Sequence, residues 1–174
     1  VVGKGEEKFC RKEIVDKYGI SKVKAIVEGG KERYHSVFEG LKQTSDADYV
    51  LIHDGARPFV NQDIIRRCML EVPEYQACVV GMPVKDTIKV VNDRLIVDTP
   101  YRPHLYITQT PQVFKRQLYF EAVTFAEEHA LDFTDDCQLI EAINCKVYMT
   151  EGDYTNIKIT TPEDIAIAEI LLAR

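Results

Sequence analysis

The chain of 174 residues lacks any apolar run long enough to cross a bilayer, since a spanning helix needs roughly 20 consecutive apolar residues. It shows no secretory signal either. A positive charge balance is also missing: 22 Lys and Arg stand against 28 Asp and Glu, a formal net charge of −6. That argues against a nucleic-acid surface, and any phosphate site must be built from local Lys and Arg on an acidic background. The five cysteines (Cys10, Cys68, Cys78, Cys137, Cys145) show no C-x-x-C spacing. Neither a zinc site nor a disulfide framework is indicated, and reduced thiols in a cytoplasmic protein are the simpler reading. There is no internal repeat and no low-complexity linker. Gly3-Lys4-Gly5 lacks the G-x-x-x-x-G-K-S/T pattern of a phosphate loop, and Glu6-Glu7 behind it would repel phosphates. No Met opens the chain. Val1-Val2-Gly3 reads as the tail of a strand begun earlier, so the chain is expected to start partway into its domain.

What is present is an ordinary globular balance, 45% hydrophobic and 29% charged, at a length that suggests one domain over 1–174. Strand and helix signals alternate. Helices are expected over Glu6–Lys17, Arg33–Lys42, Asn61 to about Glu71 and Phe114–His129, and from a Thr134 cap through Ile143. A last helix opens on Thr161-Pro162-Glu163-Asp164, a cap followed by Pro at the first helical position. Strands are expected over Lys24–Glu28, Tyr49–His53, Ala77–Met82, Leu105–Gln109 and Lys146–Thr150, with a brief extended piece at Asn156–Thr160. This alternation points to an α/β fold with a mostly parallel sheet covered on both faces. Thr87–Val91 and Leu95–Thr99 flank the polar turn Asn92-Asp93-Arg94 and read as a β-hairpin. The hairpin interrupts the alternation, so it is expected to project as an arm at about 85–104.

The strongest chemical signal is Tyr49-Val50-Leu51-Ile52-His53-Asp54-Gly55-Ala56-Arg57-Pro58-Phe59. A buried strand ending in an acid delivers a carboxylate to the sheet rim, where open α/β sheets bind ligands. Asp54 with Arg57 three residues on suits a metal ion or a hydroxyl beside an anion; the plain alternative is an Asp capping its turn. Gly29-Gly30-Lys31 with Ser36 lets a flat ligand lie on backbone groups, or is simply a strand-to-helix turn. Thr87, Arg102 and Thr110 are candidate anion contacts, against ordinary roles as a strand residue, a surface charge and a pre-proline residue. Lys158, between Ile157 and Ile159, is a candidate fixed cation or a snorkelling surface lysine.

In order, Gly29-Gly30-Lys31-Glu32-Arg33 with Ser36-Val37, His53–Phe59, Pro83–Lys89, Gln109-Thr110-Pro111-Gln112-Val113-Phe114, Thr134-Asp135-Asp136 and Asn156–Asp164 resemble the 2-C-methyl-D-erythritol 4-phosphate cytidylyltransferases of the non-mevalonate isoprenoid pathway. The resemblance covers nearly the whole chain. It implies a Rossmann-like three-layer nucleotidyltransferase fold with a projecting β-arm, and homodimers whose arms interlock. The implied reaction joins CTP to methylerythritol phosphate with Mg²⁺ and releases pyrophosphate. By the same resemblance, Gly29, Gly30, Lys31 and Ser36 fall at the cytidine, and Asp54 at the ribose, the metal and the sugar phosphate. Arg57, Thr87, Arg102, Thr110 and Thr134 fall around the methylerythritol phosphate, and Lys158 at the α-phosphate. Asp54, Lys158, Arg102 and Thr110 are thus the expected catalytic group. The family's glycine-rich nucleotide loop would precede Val1, so this chain is expected to be an amino-terminally shortened form that does not catalyse alone. Rival readings are a ribitol 5-phosphate cytidylyltransferase, a non-catalytic fragment and a receiver-like binding domain. Gly55-Ala56 after the Asp, and Asp136 after Thr134-Asp135, look more like the methylerythritol enzyme.

Overall fold

The computed structural model describes residues 1–173. They form two compact units, Val1–Val50 with Phe114–Val147, and Leu51–Val113 with Tyr148–Arg174. The first boundary falls within the strand at Tyr49 and the second within the strand ending at Lys115.

The first unit begins with α1 (Glu7–Cys10), which widens into a π-helical turn over Arg11–Asp16. The single helix expected over Glu6–Lys17 is therefore two conformations in series. No strand forms at Lys24–Glu28; only Val2 and Glu28 bridge, in parallel. Helix α2 (Arg33–Leu41) is followed, after the second unit's residues, by α4 (Arg116–Glu128) and α5 (Asp136–Ala142). Their apolar faces meet, α4 packing on both α2 and α5. The core is Tyr34, Leu41, Phe114, Tyr119, Ala122, Val123, Ala126, Leu139 and Ile140. Asp135, rather than Thr134, occupies the N-cap of α5. The Thr134 hydroxyl instead donates to Gln138 Oε1 at 3.3 Å.

Most of a four-stranded sheet, ordered β1-β5-β2-β6, lies in the second unit. Its strands are β1 (Tyr49–Ile52), β2 (Ala77–Pro83), β5 (Tyr106–Lys115) and β6 (Tyr148–Glu151). The apolar run of β2 is buried over Ala77–Gly81 and pairs in parallel with β6, Cys78 opposite Tyr148. The sheet was expected to be mostly parallel and is mixed. The connection from β2 to its neighbour β5 carries a hairpin and a 3₁₀ turn but no α-helix, whereas parallel neighbours are usually joined by an α-helical crossover. The intervening residues hold β3 (Val90–Asn92) and β4 (Leu95–Asp98), an antiparallel pair with every residue exposed. Asp93 and Arg94 turn that pair with φ of 47° and 66°.

Helix α3 (Gln62–Tyr75) starts where Asn61 Oδ1 accepts the Ile64 N–H at 2.9 Å and buries Ile64, Cys68 and Val72 over β2 and β6. It runs past Pro73 to a left-handed Gln76 (φ 63°), whose N–H closes on the Val72 carbonyl. Helix α6 (Pro162–Leu172) opens as the sequence predicts: Asp164 Oδ2 accepts the Thr161 N–H at 2.8 Å. Asn156–Thr160 forms no strand. No helix among the described residues is long and apolar enough to cross a membrane.

Candidate active site

Strand β1 ends at Ile52, and the chain turns sharply over Asp54–Arg57, the Arg57 N–H donating to the Asp54 carbonyl at 3.0 Å. This turn projects Asp54 toward the segment before α6. Asp54 Oδ2 lies 2.8 Å from Lys158 Nζ and 3.8 Å from Arg57 Nε. The Arg57 side chain is 12% exposed and that of Asp54 18%, whereas Lys158 keeps 45%. The pair thus offers one half-open cation beside a mostly covered carboxylate. Lys158 is placed by backbone: the Ile159 N–H donates to the Ala56 carbonyl at 2.8 Å, fastening its segment to the turn.

Arg57 Nη1 donates to the Asn156 carbonyl at 2.8 Å. Burial draws the Arg57 guanidinium below its ordinary range, and Asp54 partly offsets this. Arg57 Nε is buried without a hydrogen-bond partner, a donor whose desolvation is compensated only by the more distant Asp54 charge. Asn156 is fully buried and donates Nδ2 to the Thr110 carbonyl at 2.8 Å. Gln109, also buried, donates to the Asp153 carbonyl at 2.8 Å. These contacts pair the buried amide N–H groups of Asn156 and Gln109, while Asn156 Oδ1 is buried without a hydrogen-bond partner.

Thr110 is 4% exposed. Its hydroxyl accepts the Asp54 N–H at 3.1 Å and lies 2.9 Å from His53 Nδ1. Asp54, Arg57, Thr110 and Lys158 are therefore together, whereas Arg102 of the expected catalytic group bonds instead to the Lys85 carbonyl. His53 and Asn156 join them without having been singled out in the sequence. The only local signal for His53 was a polar residue closing an apolar run; Asn156 showed itself merely as the residue before Ile157-Lys158.

Arg102 begins a short 3₁₀ turn and donates Nη1 to the Lys85 carbonyl at 3.1 Å. Lys85 itself stacks its ammonium 3.4 Å from the Tyr154 ring centroid. Thr87 is exposed. In the first unit, Gly29, Gly30, Lys31 and Ser36 line an open cavity of about 530 Å3 with Val1, Val2 and Glu28. Ser36 Oγ accepts the Gly30 N–H at 3.1 Å, so the serine ties the loop to the first turn of α2. A Cβ on Gly30 would sit 2.5 Å from His35 Cβ, which explains the glycine. Thr134 is exposed just ahead of α5. Behind it, buried Asp136 takes the Arg33 guanidinium and the Tyr119 hydroxyl, the latter at 2.7 Å.

Among the described residues no group of three or more His, Cys, Asp and Glu side chains could hold a metal. Asp54 is a lone carboxylate facing two cations. That donor set fits Mg²⁺ only as an ion shared with substrate phosphates, the usual way one or two carboxylates hold it.

Comparison with known proteins gives the family. The family model described as 2-C-methyl-D-erythritol 4-phosphate cytidylyltransferase matches residues 6–174. A relative of that name from Alkaliphilus oremlandii is 48% identical over 99% of this chain and 74% of its own. Another, from Lachnoclostridium phytofermentans, is 45% identical over 99% and 75%. The solved 4-diphosphocytidyl-2C-methyl-D-erythritol synthase of Anaerococcus prevotii superposes with a TM-score of 0.88 at 33% identity, over 100% of this chain and 80% of that one. The cytidylyltransferase of Thermus thermophilus gives 0.78 at 35%, over 85% and 73%. An α/β fold with a strand-end Asp–Lys–Arg cluster, and these relatives, define an enzyme of the nucleotidyltransferase class, a cytidylyltransferase. The chain belongs to the 2-C-methyl-D-erythritol 4-phosphate cytidylyltransferase family.

Proposed function

We propose that this protein transfers the cytidylyl group of CTP to 2-C-methyl-D-erythritol 4-phosphate and releases pyrophosphate. The observation that carries the reading is the Asp54 carboxylate at the end of β1, 2.8 Å from Lys158 Nζ, in a chain of this family. A phosphate oxygen of the sugar alcohol attacks the α-phosphorus in line. A new P–O bond forms, the bond from that phosphorus to the bridging oxygen breaks, and pyrophosphate leaves with the electron pair. A phosphate monoester is already anionic, so no strong base is needed. The protein's part is to hold two anions together and to stabilise charge at the α-phosphate. Lys158 is half-exposed and held by backbone, which suits a cation that meets this charge. Asp54 keeps Lys158 in place and orients a ribose hydroxyl. Mg²⁺, held by Asp54 and the nucleotide phosphates, would offset their mutual repulsion.

Gly29, Gly30, Lys31 and Ser36 are assigned to the cytidine, on the strength of their cavity and of family motifs. Arg57, Thr87, Arg102, Thr110 and Thr134 are assigned to the sugar phosphate. The β3–β4 hairpin is read as a projecting arm that pairs two copies: Val90, Val91, Leu95, Ile96 and Val97 are all exposed, and such patches mark interfaces. Free thiols at all five cysteines suit the cytoplasm. The test is to offer the full-length protein CTP with either methylerythritol phosphate or ribitol 5-phosphate and to follow pyrophosphate. Release with the first and not the second is expected. Release with the second alone would overturn the substrate assignment.

A further inference from the structure

His53 lies outside the family motifs' expected contacts, yet both of its ring nitrogens are engaged. Nε2 is 3.0 Å from the Arg57 carbonyl oxygen. A carbonyl only accepts, so Nε2 carries the hydrogen. In the neutral ring Nδ1 is then an acceptor, and the Thr110 hydroxyl 2.9 Å away donates to it. The Thr110 oxygen in turn accepts the Asp54 N–H at 3.1 Å. The hydrogen bonds therefore run from the Asp54 amide through Thr110 and His53 to the Arg57 carbonyl. Both ends of the Asp54–Arg57 turn are fastened to one imidazole and one buried β5 hydroxyl.

The same buried residue also anchors the far side of the cluster. The Thr110 carbonyl accepts from Asn156 Nδ2, and the Asn156 carbonyl accepts from Arg57 Nη1, both at 2.8 Å. Without the imidazole, the turn loses its bond at the Arg57 carbonyl and the acceptor that orients the Thr110 hydroxyl, and it keeps the Asp54 N–H bond to Thr110, the Arg57-to-Asp54 closure and the Ile159 bond to Ala56. The direction of the Asp54 carboxylate would then be set by fewer constraints.

We propose that His53 is a positioning residue that acts through Thr110 and the Arg57 carbonyl to hold Asp54 and Lys158 in their reacting arrangement. The inference rests on the proposed role of the Asp54–Lys158 pair. His53 is itself exposed, so its loss removes little burial, and surface substitutions seldom change stability much. A merely structural role would show in melting, whereas a positioning role shows in turnover.

Three substitutions separate the two bonds. His53→Phe keeps the ring and removes both. His53→Asn brings an amide near Nδ1 and keeps the Thr110 contact. His53→Gln reaches the Nε2 position and keeps the Arg57 contact. In full-length protein, His53→Phe is expected to lower kcat about 10- to 100-fold, the usual cost of losing the support behind a site residue. KM for CTP and the melting temperature should stay near native, and Asn and Gln should each recover part of the rate. In a Thr110→Val background, His53→Phe should cost less than it does alone, because the path is already cut. Native kcat in His53→Phe, or full additivity with Thr110→Val, would overturn the inference while leaving cytidylyl transfer intact. Imidazole ¹⁵N NMR reads the same bonds without turnover. A protonated Nε2 with Nδ1 as acceptor is expected, and a protonated Nδ1 in the neutral ring would refute it.

Discussion

Replacing Tyr119 by Phe removes one hydroxyl from the interior of the first unit and leaves the ring in place. That hydroxyl donates to Asp136 Oδ1 at 2.7 Å; Tyr119 is 0% exposed and Asp136 1%. Water cannot replace the lost donor, so the whole bond is forfeited. Hydrogen bonds to charged groups contribute about 1.5–3 kcal/mol. For a chain of this size each kcal/mol moves the melting temperature by roughly 2–4 °C, so the drop should be about 3–12 °C. The pH dependence follows from burial, which holds the Asp136 carboxyl above its ordinary 3.8, with Arg33 and the Tyr119 hydroxyl opposing. A raised folded-state value means that the folded chain binds the proton more tightly. This group's contribution to stability is full below the ordinary value and is lost as pH rises through the raised one. Without the hydroxyl the carboxylate form loses a donor, and the folded-state value rises further. The deficit of Tyr119→Phe, followed by urea melts from about pH 4 to pH 7, should therefore grow with pH. A loss below about 0.5 kcal/mol, or a deficit that shrinks with pH, would refute the claim that this bond holds a buried carboxylate.

Arg102→Ala should mainly raise KM for the sugar phosphate, measured by steady-state pyrophosphate release; a raised KM for CTP alone would contradict its assignment. Gly30→Ala must displace His35, because the added Cβ meets His35 Cβ at 2.5 Å. It should weaken CTP binding at least several-fold by calorimetry, and native affinity would remove the loop from the cytidine assignment. Ile96→Asp on the exposed hairpin should shift a dimer toward monomer in sedimentation velocity, and an unchanged species would exclude the arm as the contact.

Much of this site was legible because its signals are local. The run Tyr49–Ile52 announces a strand by composition, and Asp54, two residues past its end, stands at the strand's rim. Asn61 and Thr161 open their helices by side-chain chemistry that acts within three residues. What stayed hidden depends on distant partners. Strand β5 was expected to stop at Gln109, since Thr110-Pro111 reads as a break, yet it continues to Lys115. Its buried Gln109 is satisfied by Asp153, 44 residues away. Lys24–Glu28 has strand composition but forms only one bridge, to Val2. His53 and Asn156 draw their roles from Thr110, 57 and 46 residues away, and no periodicity encodes such pairings.

The central claim is that Lys158, held 2.8 Å from Asp54, stabilises charge at the α-phosphate during cytidylyl transfer. The measurement that reads it most directly is kcat of Lys158→Ala in the full-length protein, with both substrates saturating. A fall on the order of 10²–10³ is predicted, the scale for one lost electrostatic stabiliser. Near-native turnover would contradict it.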